Sequence, residues 1–254
     1  MLLKGKNAVI TGSNRGIGRA IVEVFAQNGA TIWACARKYS KAFEEDMKSL
    51  EDQYDVAIHP VYFELTDSTQ VKDGVKKIKA FGLPIDVLVN NAGVNSPYRR
   101  FQMIPMEGFR QVFEANFFGG MELTQLISRL MMKNKQGSIV HIASIAATDG
   151  FFASCDYVAS KAAILGAAMQ QARELGGSGI RVNVVSPGVT DTEMLFHENE
   201  EMLQSILPGV MLGRFGDPKE IANAVLFLAC DLSSYITGEE IRVDGGCRPP
   251  KTTW

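Results

Sequence analysis

Four cysteines stand in 254 residues, at positions 35, 155, 230 and 247, and no two share a Cys-x-x-Cys spacing. Thiols so sparse and scattered read as free, buried cysteines in a reducing compartment and argue against a disulfide framework. The three histidines, His59, His141 and His197, are equally isolated, and no His-Glu-x-x-His pattern occurs. The chain therefore offers no metal-ligand spacing. No stretch approaches the roughly 20 apolar residues of a spanning helix, and residues 1–6 lack the apolar run of a signal peptide. An excess of one charge is missing too: 26 Lys and Arg face 28 Asp and Glu, a net charge of −2. Such a balance exerts no overall pull on nucleic acid or an anionic membrane. The expectation is a cytoplasmic protein without metal, nucleic-acid or membrane partner. Proline is scarce at 9 residues, whereas glycine reaches 24.

Short apolar, β-branched runs alternate with longer helical stretches. Strands are predicted over 7–11, 31–36, 56–61, 85–89, 138–143, 180–185 and 240–243, and helices over 16–28, 41–54, 68–81, 106–133, 156–175 and 218–230. Strands apolar throughout are buried on both faces, and alternation with helices implies a mostly parallel sheet. Right-handed crossovers then place helices on both faces. The fold class expected is α/β: one doubly wound domain over residues 1–254, with no repeat and no shift in composition.

The first strand runs into Gly12, Ser13, Asn14, Arg15, Gly16, Ile17 and Gly18. Glycines here permit a tight turn, close approach to a pyrophosphate and close packing of helix on strand. Helix N-terminal amides then offer donors to an anion. The same glycines also suit an ordinary βα turn. At the end of the second strand, where an acid would bind the ribose 2′-OH of NAD, stand Arg37 and Lys38. With Arg15 they suit a 2′-phosphate, which favours NADP(H) over NAD(H); as solvated surface cations they would mean nothing.

Tyr157 and Lys161 lie four residues apart on a predicted helix, so they share a face. An ammonium nearby favours the phenolate and lowers the tyrosine pKa from about 10. Ser144 follows the fifth strand, at the carboxyl end of the sheet, where ligands bind in open α/β folds. Alone, a Tyr–Lys pair of this spacing commonly just lies on a surface.

The combination of Thr11–Gly18, Asn90–Gly93, Asn116, Ser144, Tyr157, Lys161 and Pro187–Gly188, in this order, resembles the short-chain dehydrogenase/reductase family along essentially the whole chain. Residues 213–229, 235–238 and 243–246 look like its 3-oxoacyl-carrier-protein reductase branch. The resemblance implies an oxidoreductase interconverting a ketone and a secondary alcohol by hydride transfer coupled to acid–base catalysis. It implies Tyr157 as the proton donor and acceptor, with Lys161 holding the nicotinamide ribose and lowering the tyrosine pKa. Ser144 would bond the carbonyl oxygen, and Asn116 would join a water relay. Asn91, Ala92 and Gly93 would line the cofactor cleft, with Asn90 tying the central strands. Pro187, Gly188, Thr190 and Thr192 would contact the nicotinamide half. Leu65 would meet the adenine through backbone, and Glu64 stands where relatives carry Asp or Asn.

Substrate is expected at Asn95 to Tyr98, at Gly150–Ala153 and on a lid segment over 190–212, with Asn95, Phe151, Phe152 and Met194 joining Ser144 and Tyr157. These mostly apolar residues suit a medium-sized ketone or alcohol and equally suit core packing. Lys133, Lys135 and Arg173 could recognise an acyl-carrier protein at the cleft mouth, although Gln136 and Ser138 stand where carrier-using relatives are often basic. The resemblance also implies a homotetramer, with apolar faces at Phe113, Phe117, Leu123, Ile127, Ala163 and Leu165. The alternatives are a non-catalytic NADP(H) sensor and an NAD-dependent alcohol or sugar dehydrogenase. Cys155 is expected to be filler, since nothing supplies it a base.

Overall fold

The computed structural model describes residues 1–150, 153–192 and 205–248. Seven strands make one sheet in the order β3-β2-β1-β4-β5-β6-β7, every pair parallel. They are β1 (Asn7–Thr11), β2 (Thr31–Ala36), β3 (Ile58–Tyr62), β4 (Val87–Asn90), β5 (Gly137–Ile142), β6 (Ile180–Pro187) and β7 (Glu240–Val243). The main helices are α1 (Gly16–Gln27), α2 (Lys41–Tyr54), α3 (Ser68–Ala80), α4 (Met106–Phe113), α5 (Gly119–Asn134), the short α6 (Ala146–Asp149), α7 (Cys155–Leu175) and α8 (Pro218–Ala229). This is the doubly wound α/β fold the alternation predicts.

Successive residues of a strand point to opposite faces. Ala8 and Ile10 of β1 accordingly enter a core with α1, α2 and α8, while Val9 enters a second core with α3, α5 and α7. Val87 and Val89 of β4 face the first core and Leu88 the second. Both faces are therefore apolar, which is why these strands read as unbroken hydrophobic runs.

Two elements depart from the sequence reading. The third strand starts at Ile58 rather than residue 56. Asp55 ends α2 in a left-handed conformation, and the Val56 amide is spent on the Glu51 carbonyl in that turn. Pro60 is tolerated inside β3 because β3 is an edge strand. The helix predicted over 106–133 is interrupted by a π turn at Glu114–Phe118. Such turns shift the side chains that follow and recur at functional sites; this one carries Asn116. The expectation of buried thiols holds for Cys35, Cys230 and Cys247 but not for Cys155, which is exposed at the first residue of α7.

Among the described residues, no helix is long and apolar enough to cross a membrane, and no group of three or more His, Cys, Asp or Glu could hold a metal ion.

Candidate active site

A cleft of about 740 Å³ opens along the carboxyl ends of the strands. It spans the point where β1 pairs with both β2 and β4 and the strand order reverses. Ligands bind at such a point in open α/β sheets. Gly12, Asn14, Arg15, Gly16, Ile17, Gly18, Arg37, Lys38, Glu64, Leu65, Asn91, Ala92, Gly93, Pro187, Gly188, Thr190 and Thr192 all line it, as do Asn95, Ser144, Tyr157 and Lys161.

The loop from β1 to α1 forms one wall. A Cβ at Gly18 would lie 2.0 Å from the Gly12 carbonyl oxygen, so only glycine lets α1 start this close to the strand. Helix α1 has no acidic residue in its first turn and no side-chain cap at Arg15. Its first amides, normally capped by a side chain, remain available to an anion. Asn91 fixes the opposite side by donating from Nδ2 to the Thr11 and Gly12 carbonyls at 3.0 and 3.3 Å. Thr192 faces the loop directly, within 3.4 Å of where a Gly16 Cβ would stand.

Two predicted residues lie outside the cleft. Ser13 is fully buried and donates its hydroxyl to the Ile10 carbonyl at 2.8 Å, so it braces the loop from behind. Asn116 is also buried. It accepts the Val94 amide at 2.7 Å and donates from Nδ2 to the Val94 carbonyl and the Ser160 hydroxyl, each at 3.0 Å. With Thr11, Asn90 and His141 it lines a small internal void of about 10 Å³. Asn90 ties β4 sideways: Nδ2 lies 2.7 Å from Thr124 on α5 and 3.2 Å from His141 on β5.

At the far end, Ser144, Tyr157 and Lys161 converge. The Lys161 ammonium is buried, donates to the Ile142 carbonyl at 2.9 Å and lies 5.9 Å from the Tyr157 ring centroid. Burial pulls its pKa down to about 8. The sequence reading expects Lys161 to lower the tyrosine pKa. Instead, burial pushes Tyr157 above its ordinary value, and the hydrogen bond with Ser144 acts in the opposite direction. The protein's own groups thus hold a protonated phenol at neutral pH, competent as an acid.

Phe151, Phe152 and Met194 fall outside the described residues. Apolar residues that also line the cleft include Val94, Ile145, Ala146, Ala153, Val189 and Ile206. Ile206 belongs to the 190–212 segment expected to lie over the substrate, and it lines the cleft. Lys133, Lys135 and Arg173 are misplaced by the sequence reading. They close α5 and α7 just before β5 and β6 begin, at the amino end of the sheet and away from this cleft. Ser138 is no surface residue either; it is buried and donates its hydroxyl to the Leu228 carbonyl at 2.8 Å. Leu123 and Ile127 are fully buried in the core, which removes them from any apolar interface face.

His141 is buried beside the site. Its Nε2 lies 2.9 Å from Gln171 Oε1 and its Nδ1 3.2 Å from Asn90 Nδ2. A carbonyl oxygen needs a donor and an amide nitrogen an acceptor, which sets the neutral tautomer protonated on Nε2. Burial holds its pKa at about 4. In the unfolded chain the ring takes a proton below about pH 6.5, and the folded chain does not until about pH 4. Stability is therefore expected to fall as pH drops across that window, by about 3 kcal/mol from this group. Urea unfolding at pH 7.5 and pH 5 should show a smaller drop for His141→Gln than for wild type.

Known proteins resemble this chain over nearly its whole length. A family model described as "Enoyl-(Acyl carrier protein) reductase", of the short-chain alcohol dehydrogenase type, matches residues 12–248. The 3α-hydroxysteroid dehydrogenase of Mediterraneibacter gnavus is 36% identical over 251 residues, covering 98% of this chain and 99% of that protein. The 3-oxoacyl-carrier-protein reductase of Thermotoga maritima is 38% identical over 246 residues, covering 97% and 99%. Among solved structures, a 3-oxoacyl-carrier-protein reductase from Brucella melitensis with bound NAD superposes at a TM-score of 0.86, with 28% identity and 97% and 92% coverage. The chain belongs to the short-chain dehydrogenase/reductase family. Within that family it is similar to the 3-oxoacyl-carrier-protein reductase branch.

Proposed function

We propose that this protein is an NADP(H)-dependent oxidoreductase that interconverts an apolar ketone and its secondary alcohol, with Tyr157 as general acid and base. The convergence of Ser144, Tyr157 and Lys161 at one end of a cleft whose other end is a glycine loop carries the reading.

The cleft suits a dinucleotide by its own features. The uncapped α1 terminus and the close-packed glycine loop would receive the pyrophosphate. Leu65 and Glu64 would hold the adenine, and Asn91, Ala92 and Gly93 the path between. Pro187, Gly188, Thr190 and Thr192 would hold the nicotinamide half. When bound, the nicotinamide supplies or takes the hydride. The chain's own residues do the rest. Ser144 orients the carbonyl oxygen toward the phenol. Tyr157 gives that oxygen its proton. Lys161, a buried cation on the same helix face, favours negative charge developing there. Asn116 holds the Val94 backbone and Ser160, whose hydroxyl donates to the Tyr157 carbonyl at 2.8 Å; the family resemblance implies that it also orders the water relay that restores the proton.

Arg37 and Lys38 stand exposed where a 2′-phosphate would lie. Arg37 Nε is 3.8 Å from Glu64 Oε2, so the guanidinium already has one carboxylate partner. Charge-assisted bonds contribute about 1.5–3 kcal/mol, reduced here by exposure. Arg37→Ala is expected to raise KM for NADPH about 10-fold and to leave KM for NADH nearly unchanged. Glu64→Gln releases Arg37 and should lower KM for NADPH. Equal effects on both cofactors would count against the 2′-phosphate contact.

The apolar wall and the hydroxysteroid dehydrogenase relative favour a free, bulky alcohol or ketone over a carrier-bound thioester. The basic residues that a carrier would need lie at the other end of the sheet. Turnover of a panel of ketones, sterols and 3-oxoacyl thioesters with NADPH decides between them. We further propose a cytoplasmic homotetramer, as the family resemblance implies.

A further inference from the structure

The turn that carries Ser144 is short. Ser144 accepts the Ala146 amide at 3.2 Å, and α6 is only four residues long, ending at Asp149. So short a helix has little stability of its own. It is held instead from the sheet edge. Arg242, on β7, donates from Nη1 and Nη2 to the two oxygens of Asp149 at 2.8 and 2.7 Å, a bidentate pair. Nη1 also reaches the Thr148 hydroxyl at 3.1 Å. Nε and Nη2 bond Asp244 Oδ2 at 3.1 and 2.8 Å. Asp244 is 8% exposed, Asp149 16% and Arg242 29%, so the pairs are largely withdrawn from solvent and worth more than surface ion pairs. Asp244 in turn accepts the Gly246 amide at 2.9 Å and packs under Gly188, where a Cβ would meet its Cα at 2.7 Å.

We propose that Arg242 is a positioning residue for catalysis: its planar fork clamps the α6 turn to β7 and thereby fixes the Ser144 hydroxyl against Tyr157. The inference rests on the acid–base reading given above. Only arginine presents enough donors in one plane to hold two carboxylates and a hydroxyl together. A lysine has the charge without the fork.

The test compares wild type with Arg242→Met, Arg242→Lys and Tyr157→Phe, using a ketone that wild type reduces with NADPH. A small misplacement of a catalytic group costs up to about 100-fold in rate. Arg242→Met is expected to lower kcat about 10- to 100-fold while NADPH binding, read by cofactor fluorescence, stays at the wild-type value. Asp244 keeps its bond to Gly246, so the floor under Gly188 survives. Arg242→Lys should lower kcat nearly as much; it also serves where the Met variant does not fold. A folded Arg242→Lys with wild-type kcat overturns the clamp, as does a loss that appears only in cofactor binding. Full activity of Tyr157→Phe would instead overturn the reading of the site, a result distinguishable from failure of the clamp alone.

Discussion

Tyr157→Phe is expected to lower turnover by about 100- to 10,000-fold, the range that general acid–base groups contribute. The substitution keeps the ring and removes only the hydroxyl that bonds Ser144. Loss of one hydrogen bond changes stability by about 1 kcal/mol, so the variant should fold and bind the cofactor as wild type does. Burial keeps the phenol protonated at neutral pH, and it lines the cleft beside Ser144. Steady-state oxidation of NADPH with a reducible ketone measures the effect. A variant within a few-fold of wild type would remove Tyr157 from the chemistry.

The second large effect is expected at Gly18. An alanine Cβ would stand 2.0 Å from the Gly12 carbonyl oxygen and 2.4 Å from Asn91 Nδ2. The first obstacle is backbone and cannot rotate away. The second is the amide that holds β4 against the loop. Relief requires α1 to move off β1, and overpacking of this kind costs about 3 kcal/mol or more. Because α1 also packs on α8, the loss should appear as a lower unfolding midpoint together with lost NADPH binding. Gly16→Ala offers a contrast. Gly16 has a φ of +53°, and its nearest obstacle is the Thr192 methyl at 3.4 Å. That variant should remain folded and lose mainly cofactor affinity, through strain in the loop. Equal stability of Gly18→Ala and wild type would contradict the packing.

Both effects concern residues legible in the chain. Gly12, Gly16 and Gly18 follow a buried strand at a spacing that requires close backbone approach, and Tyr157 and Lys161 share a helix face by simple periodicity. Apolar runs fixed seven strands, because parallel strands buried on both faces leave no polar alternation to confuse them with. The boundaries were less legible. A helix pattern continues through residues 106–133, yet the chain makes a π turn at Glu114–Phe118, where Asn116 bonds both backbone groups of Val94.

Local pattern thus determined the fold class, the glycine loop and the Tyr–Lys pair, since each depends on residues within a turn or two of one another. Tertiary structure alone decided the remainder. It withdrew Ser13 and Asn116 from the cleft, set Lys133 and Lys135 at the opposite end of the sheet, and raised the Tyr157 pKa where spacing pointed down. It also joined Arg242 to Asp149 across 93 residues. Desolvation and long-range ion pairs depend on what the rest of the chain packs against a group, and no local window of sequence contains that information.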